Sequence, residues 1–483
     1  MNQKKVLSNL LWRFAERCGA QGVTFIVSIV LARLLDPNIY GTIVLITVFT
    51  DILQVFVDSG MGSALIQKKD ADDLDFSSVF YFNITVCTIL YILMFFAAPF
   101  IAGFYKMPEL TPVIRVMSLI LVISGLKNVQ QAYVSRNMMF KKFFFATLGG
   151  TLGAAAIGIF MAYKGFGVWA IVAQMLFNAL MDTVILWITV KWRPKRMFSL
   201  ERLKGLFAFG WKLLISALID TVYLELRKLI IGKKYKTDDL AFYNQGEKFP
   251  KLIVTNINTS IDSVLLPTMS KEQNNPERVK AMTRRAIKTS TYVMMPFMVG
   301  LAVCAKPLVS LILTDKWLPC VPFLRVFCFT YAFYPIHTAN LNAIKAMGRS
   351  DLFLKMEITK KSIGLVVLLS TMQYGVMTMA YSLLFTSFIN QLINSFPNAK
   401  LLKYRYIDQI VDMLPQIGAS LLMGAAVYLV NFLPIASWAM LLIQVPLGIF
   451  IYILISKLFK IDSFQYTLET VKGFFNKRKK ATL

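Results

Sequence analysis

Residues 76–103 read FSSVFYFNITVCTILYILMFFAAPFIAG, 28 positions in a row without one charged side chain. A helix rises about 1.5 Å per residue and a bilayer's hydrocarbon core is about 30 Å thick, so about 20 such residues suffice to cross it. Asp73 and Asp75 stand before this run and Lys106 just after it, so charge returns where the bilayer would end. Stretches of similar length and hydropathy lie on both sides, near 10–35, 39–66, 112–134, 142–163, 167–190, 207–231 and 239–266. The series continues near 287–313, 320–344, 353–372, 376–399, 409–431 and 435–457. With 76–103 these make about fourteen spans and predict an all-α integral membrane protein. No loop between them is long enough for a soluble domain.

Composition agrees, at 57% hydrophobic residues. The 52 Lys and Arg against 26 Asp and Glu leave a formal charge of +26. In a soluble protein that excess would point to nucleic acid, but here the cations sit in alternate short loops, which is the positive-inside pattern. One side receives Lys4 and Lys5, Lys68 and Lys69, Arg136 to Lys142, Lys191 to Arg196, Lys271 to Arg285, Arg349, Lys400 to Arg405, and Lys477 to Lys480. The other keeps few, among them Arg33, Lys106, Lys164, Lys233, Lys306 and Lys316. The basic side is expected to be cytoplasmic, with both termini inside and no nucleic-acid partner. Phe464, Leu468, Val471, Phe474 and Phe475 would lay one apolar helix face on the inner leaflet, with lysines beside it for anionic headgroups. Cys18, Cys87, Cys304, Cys320 and Cys328 show no metal or paired spacing and read as small buried hydrophobes. The first stretch is interrupted by Arg13, Glu16 and Arg17 and lacks a cleavage site, so it reads as the first helix rather than a secretory signal.

An internal repeat divides the chain. Pro112-Val-Ile-Arg115-Val116 recurs as Pro322-Phe-Leu-Arg325-Val326, Gly167-Val168 as Gly375-Val376, and Ser63-Ala-Leu65 as Ser263-Val-Leu265, in the same order and at offsets near 200–210. The expected organisation is a six-helix lobe over 1–200, a second over 201–400, and a terminal helix pair with a basic amphipathic tail over 401–483. Six is even, so both lobes enter the membrane in the same sense, a parallel pseudo-repeat about an axis along the membrane normal.

Polar residues then fall on particular spans. In the eighth, Asn244, Lys248, Lys251, Thr255, Asn258 and Asp262 are spaced by three or four and share one face. The second carries Thr47, Asp51, Gln54 and Asp58; the seventh carries Lys212, Ser216, Asp220, Tyr223 and Arg227; the first carries Arg13, Arg17, Thr24 and Ser28, with Glu16 beside them. A charge at mid-bilayer costs about 2.5–3.5 kcal/mol, so six facing lipid would cost roughly 15–20 kcal/mol. Net stabilities are about 5–15 kcal/mol. These groups are therefore expected to line a wet cavity, or to pair with one another between helices. Glu225 is read as a local partner of Lys228, His337 as a satisfied polar residue, and Asp182 as buried with no partner under any local rule. The last two spans carry almost no charge between Asp412 and Lys457. No P-loop, zinc spacing, Ser/His/Asp set or nucleotide fingerprint is present, so neither an enzyme nor an ATP-driven pump is expected, and no cofactor.

Five stretches carry a family resemblance: Leu31-Ala-Arg-Leu-Leu-Asp-Pro-Asn-Ile-Tyr-Gly41, Asp58-Ser-Gly-Met-Gly-Ser-Ala-Leu-Ile-Gln-Lys-Lys-Asp70, Gly165-Phe-Gly-Val-Trp-Ala170, Trp192-Arg-Pro194, and Pro267. Through them the chain resembles the oligosaccharide flippases of the polysaccharide transporter family, in the multidrug/oligosaccharidyl-lipid/polysaccharide exporter superfamily. It looks most like the colanic-acid and teichuronic-acid exporters. The resemblance implies a flippase in a bacterial cytoplasmic membrane that moves undecaprenyl-diphosphate-linked oligosaccharide to the outer leaflet for surface polysaccharide synthesis. It also implies alternating access, with a polysaccharide polymerase as a candidate partner. Arg13, Arg17, Lys248 and Lys251 are then the expected diphosphate contacts, Asn244 a sugar contact and Arg227 an outer gate. Glu16, Asp51, Asp58 and Asp262 are the candidate carriers of a coupling H+ or Na+. The competing readings are a lipid II flippase and a multidrug or cation antiporter of the same superfamily; an excess of cations in the cavity would repel the substrates of the last.

Overall fold

A computed structural model describes the backbone of residues 3–58, 61–68, 70–137, 139–466 and 468–469, and side chains over the same ranges except 3–18, 140–143, 146, 209 and 350. Helices alone make up its regular structure, and the described residues contain no strand. In order they are α1 (Gln3–Leu34), α2 (Pro37–Asp58), α3 (Met61–Gln67), α4 (Asp73–Tyr105), α5 (Leu110–Met117), α6 (Leu119–Arg136), α7 (Phe140–Tyr163), α8 (Val168–Thr189) and α9 (Leu200–Lys234). Then follow α10 (Thr237–Lys271), α11 (Pro276–Val303), α12 (Ala305–Leu313), α13 (Val321–Ala332), α14 (Tyr334–Ala346), α15 (Ser350–Thr371), α16 (Val376–Leu401), α17 (Tyr406–Leu429) and α18 (Ser437–Leu458). Each of the fourteen apolar stretches falls on one helix or on two consecutive helices, and the protein is a multi-pass membrane protein.

Among the described residues nine helical segments are long and apolar enough to cross a bilayer, ten if α9, bent by 49° between Ala208 and Gly210, counts as one span. The difference from fourteen has a visible cause. Helix α10 carries Lys248, Lys251 and Asp262, and α15 carries Lys355, Glu357, Lys360 and Lys361, which lower their mean hydropathy. The apolar parts of α1 and α7 are shorter, at Gly19–Leu34 and Thr147–Tyr163. The tail residues Val471, Phe474 and Phe475 lie outside the described residues.

Contacts divide the chain into two units, Met1–Ala241 and Phe242–Leu483, meeting in the first turns of α10. In the first unit, Met61, Leu65, Phe76, Phe80, Leu186 and Trp192 form a buried cluster that Leu203 and Leu206 of α9 complete. A second cluster joins α1, α2, α7 and α8 through Val27, Leu31, Ile43, Ala162 and Ile171. Asp72 starts α4 with a reciprocal cap: its carboxylate accepts from the Asp75 N–H at 3.0 Å, and the Asp75 carboxylate accepts from the Asp72 N–H at 3.2 Å.

The repeat seen in the sequence has structural counterparts in each unit. Arg115 Nε donates to the Phe95 carbonyl at 3.1 Å, and its counterpart Arg325 Nε donates to the Ala302 carbonyl at 3.2 Å. Gly167 before α8 has φ +55° and Gly375 before α16 has φ +100°, a left-handed turn that side-chain-bearing residues avoid. One span is broken into α5 and α6 at Ser118, the corresponding one into α13 and α14 at Phe333.

The second unit holds α17 by polar contacts. Asn340, Asn398 and Gln409, none of them accessible to solvent, bond one another: Asn340 Nδ2 donates to Gln409 Oε1 at 2.7 Å, and Asn398 Nδ2 to Asn340 Oδ1 at 2.6 Å. Next to them Arg284 grips buried Asp412 with two bonds of 2.6 and 2.7 Å, and the Tyr404 hydroxyl donates to the same carboxylate at 2.8 Å.

Candidate functional site

Helix α10 carries the residues singled out in the eighth stretch. On this helix Lys251, Thr255 and Asp262 are exposed, as are Asn256, Ser260 and Val264, while Val254 and Met269 are buried. Asn244 and Lys248 are half-buried. Lys248 makes no hydrogen bond or ion pair among the described residues. Lys251 Nζ lies 3.4 Å from the Glu247 carboxylate, which also accepts the Tyr331 hydroxyl at 2.7 Å. Asn342 Nδ2 donates to the Asp262 carboxylate at 2.5 Å, so a neutral amide steadies that side chain. Proline at 250 removes one backbone bond from α10 at the level where Gly246 presses on α13. A Cβ at Gly246 would stand 2.7 Å from Phe323 Cβ.

The first unit has its own polar line. Asp51 and Asp58 are exposed on α2; Gln54, one turn before Asp58, hydrogen-bonds it, and Lys127 of α6 stands within Coulombic reach. Lys127 Nζ pairs with Asp182 of α8 at 2.9 Å, with only 17% and 13% of the two side chains exposed. The Val57 carbonyl accepts from Asn128 Nδ2 at 2.5 Å and from Asn83 Nδ2 at 3.4 Å. Arg227 is buried in α9. The side chains of Arg13, Glu16 and Arg17 lie outside the described residues.

Several expectations can be compared directly. Glu225 pairs with Lys228 at 2.9 Å, as read. His337 Nδ1 lies 2.8 Å from Asn394 Nδ2, a satisfied buried histidine. Cys87, Cys304, Cys320 and Cys328 are buried free thiols. Among the described residues no three His, Cys, Asp or Glu side chains converge as metal ligands. Two pairings escaped the sequence reading. Glu247 sits one position off the α10 stripe, though its spacing of four from Lys251 was a signal. Asp182 finds its partner 55 residues away, which no local spacing signals.

Among the described residues the units are all-helical, their topology repeats and charged residues fall on particular spans, and the fold is one shared with solved flippases and exporters. It matches the solved structure of the lipid II flippase MurJ in an inward closed conformation, with TM-score 0.77, 17% identity, and coverage of 94% of this chain and 99% of that one. Residues 30–322 match the family described as "Polysaccharide biosynthesis protein", and the chain belongs to that family. It is 23% identical over 350 residues to the succinoglycan biosynthesis transport protein ExoT of Rhizobium meliloti, covering 72% of this chain and 71% of the relative. It is 25% identical over 361 residues to the teichuronic acid biosynthesis protein TuaB of Bacillus subtilis, covering 72% and 73%.

Proposed function

We propose that this protein moves an undecaprenyl-diphosphate-linked oligosaccharide from the inner to the outer leaflet of a bacterial cytoplasmic membrane, with both termini cytoplasmic. The observation that carries this reading is the α10 face, where half-buried Lys248 and exposed Lys251 accompany Asn244, Thr255 and Asp262. A diphosphate is recognised by cationic donors in low dielectric, and sugar hydroxyls by amides, hydroxyls and carboxylates. Family membership and likeness to the transport protein ExoT favour a carrier over an enzyme. In the second unit an apolar groove of about 390 Å³, lined by Met295, Met298, Phe329, Leu421 and Tyr428, suits a polyprenyl chain.

In this reading the repeat-related lobes, 1–200 and 201–400, alternate in exposing the cavity. Arg13, Arg17, Lys248 and Lys251 bind the diphosphate and Arg227 guards the outer side. One of Glu16, Asp51, Asp58 or Asp262 carries the H+ or Na+ that resets the empty carrier. A membrane potential supplies about 2.3 kcal/mol per charge per 100 mV, enough to bias that return. A polymerase would receive the product.

The test is surface polysaccharide in a strain lacking its own exporter. Wild type restores it, while Lys248→Ala and Lys251→Ala, present in the membrane at normal amounts, do not. Full export by both variants would remove the assignment. Rescue of a strain depleted of its lipid II flippase would redirect the substrate to a peptidoglycan precursor.

A further inference from the structure

A cleft of about 500 Å³ opens in the second unit between α11 and the segment that follows α18, lined by Arg284, Arg285, Lys288, Thr289, Asp462 and Tyr466. Its charges do not cancel. Arg284 is committed to Asp412 through two bonds, and Lys288 reaches Asp462 at 3.2 Å and Asp412 at 3.8 Å. Arg285 has no carboxylate partner among the described residues; its guanidinium carbon lies 5.0 Å from the centre of the Tyr466 ring. Three cations therefore meet two carboxylates, and the cation left over has a side chain located by an aromatic face while its N–H edge stays available. Arg285, Lys288 and Thr289 stand at i, i+3 and i+4, one face of α11, so a guanidinium, an ammonium and a hydroxyl address the same space.

Position selects the ligand's source. On α18 and at its C-cap, Phe450, Leu458 and Phe459 are exposed apolar side chains, the last 71% open, a surface suited to acyl chains. Phe459 stands three residues before Asp462 at the rim of the cleft. The basic groups thus lie beside the end of α18, where an apolar span gives way to charged residues at the level expected of headgroups, and an arginine over a tyrosine ring is suited to that boundary. From this geometry we infer that the cleft binds the phosphate of an anionic glycerophospholipid of the surrounding bilayer, a site separate from the α10 face proposed for the cargo.

The experiment uses the full chain in detergent, titrated with phosphatidylglycerol, phosphatidylcholine, inorganic phosphate and undecaprenyl diphosphate, with bound lipid read by native mass spectrometry. Phosphatidylglycerol is expected to bind in preference to phosphatidylcholine. Arg285→Ala should weaken it roughly fivefold, the worth of one cation near an anionic surface, and Arg285→Lys should lose less. Arg285 is exposed and has no carboxylate partner among the described residues, so neither variant is expected to disturb folding, and a melting curve checks this. Equal retention of the two phospholipids, or affinity unchanged in Arg285→Ala, overturns the inference. So does inorganic phosphate displacing the lipid, which would make the site one for soluble anions, or undecaprenyl diphosphate displacing it at equal concentration, which would assign the cleft to the cargo. Export tested with Lys248→Ala is independent of all these outcomes.

Discussion

The Lys127–Asp182 pair shows how single residues resolve the choice between cavity lining and interhelical bonding. Both side chains are mostly buried, their separation is 2.9 Å, and Asp182 Oδ1 has no hydrogen bond. Removing one partner leaves an uncompensated charge and costs about 3–5 kcal/mol, whereas replacing both by apolar groups of similar volume is often neutral or stabilising. Lys127→Met and Asp182→Leu should therefore each lower the melting temperature of the purified protein, and the double variant should recover most of the loss. A double variant no better than the singles would mean the two charges serve other partners. The exposed carboxylates Asp58 and Asp262 differ from this pair, since each accepts a hydrogen bond from a neutral amide. Local spacing disclosed Glu225–Lys228 because both lie on one helix. It was blind to Lys127–Asp182 and Arg284–Asp412, whose partners meet only after separate helices have packed.

At the scale of elements, close approach is set by glycine. A Cβ on Gly41 of α2 would stand 1.9 Å from the Thr237 carbonyl oxygen at the start of α10, and backbone has no rotamer with which to yield. A Cβ on Gly153 of α7 would stand 2.6 Å from Phe177 Cε1, the edge of a ring that can turn aside. Gly41→Ala should then destabilise by about 1–3 kcal/mol, the usual cost of overpacking, and Gly153→Ala by less. Melting of the two variants in the same detergent checks the order; the reverse order would refute this account of the contacts. Span positions were legible because hydropathy over about 20 residues is a property of the chain alone. The break at Ser118 was not, since apolar character continues straight through it and only the helix path changes, whereas the break at Phe333 had a signal in Pro335, the second residue of α14.

Across the whole molecule, duplication explains more than composition does. The arginine hooks at 115 and 325 and the left-handed glycines at 167 and 375 recur in each unit at matching places, and these counterparts were visible as short sequence matches. The attachment of the terminal pair was not visible. Asp412 looks like an isolated charge at the edge of an apolar span, yet it receives Arg284, Tyr404 and, more distantly, Lys288. Asp412→Ala should cost about 1–3 kcal/mol, the penalty for stranding the donors of a buried acceptor, the lower end applying because Arg284 is partly exposed. Unchanged melting would show that packing alone retains α17.

The buried cluster of the first unit takes two of its members, Leu203 and Leu206, from beyond Ser199. During synthesis the ribosome must therefore deliver the start of a seventh helix before the amino-terminal core can close. Until then Met61, Phe80 and Trp192 lack part of their cover, so nascent chains stalled near residue 200 should be the form in which insertion chaperones and quality-control proteases find this protein most vulnerable.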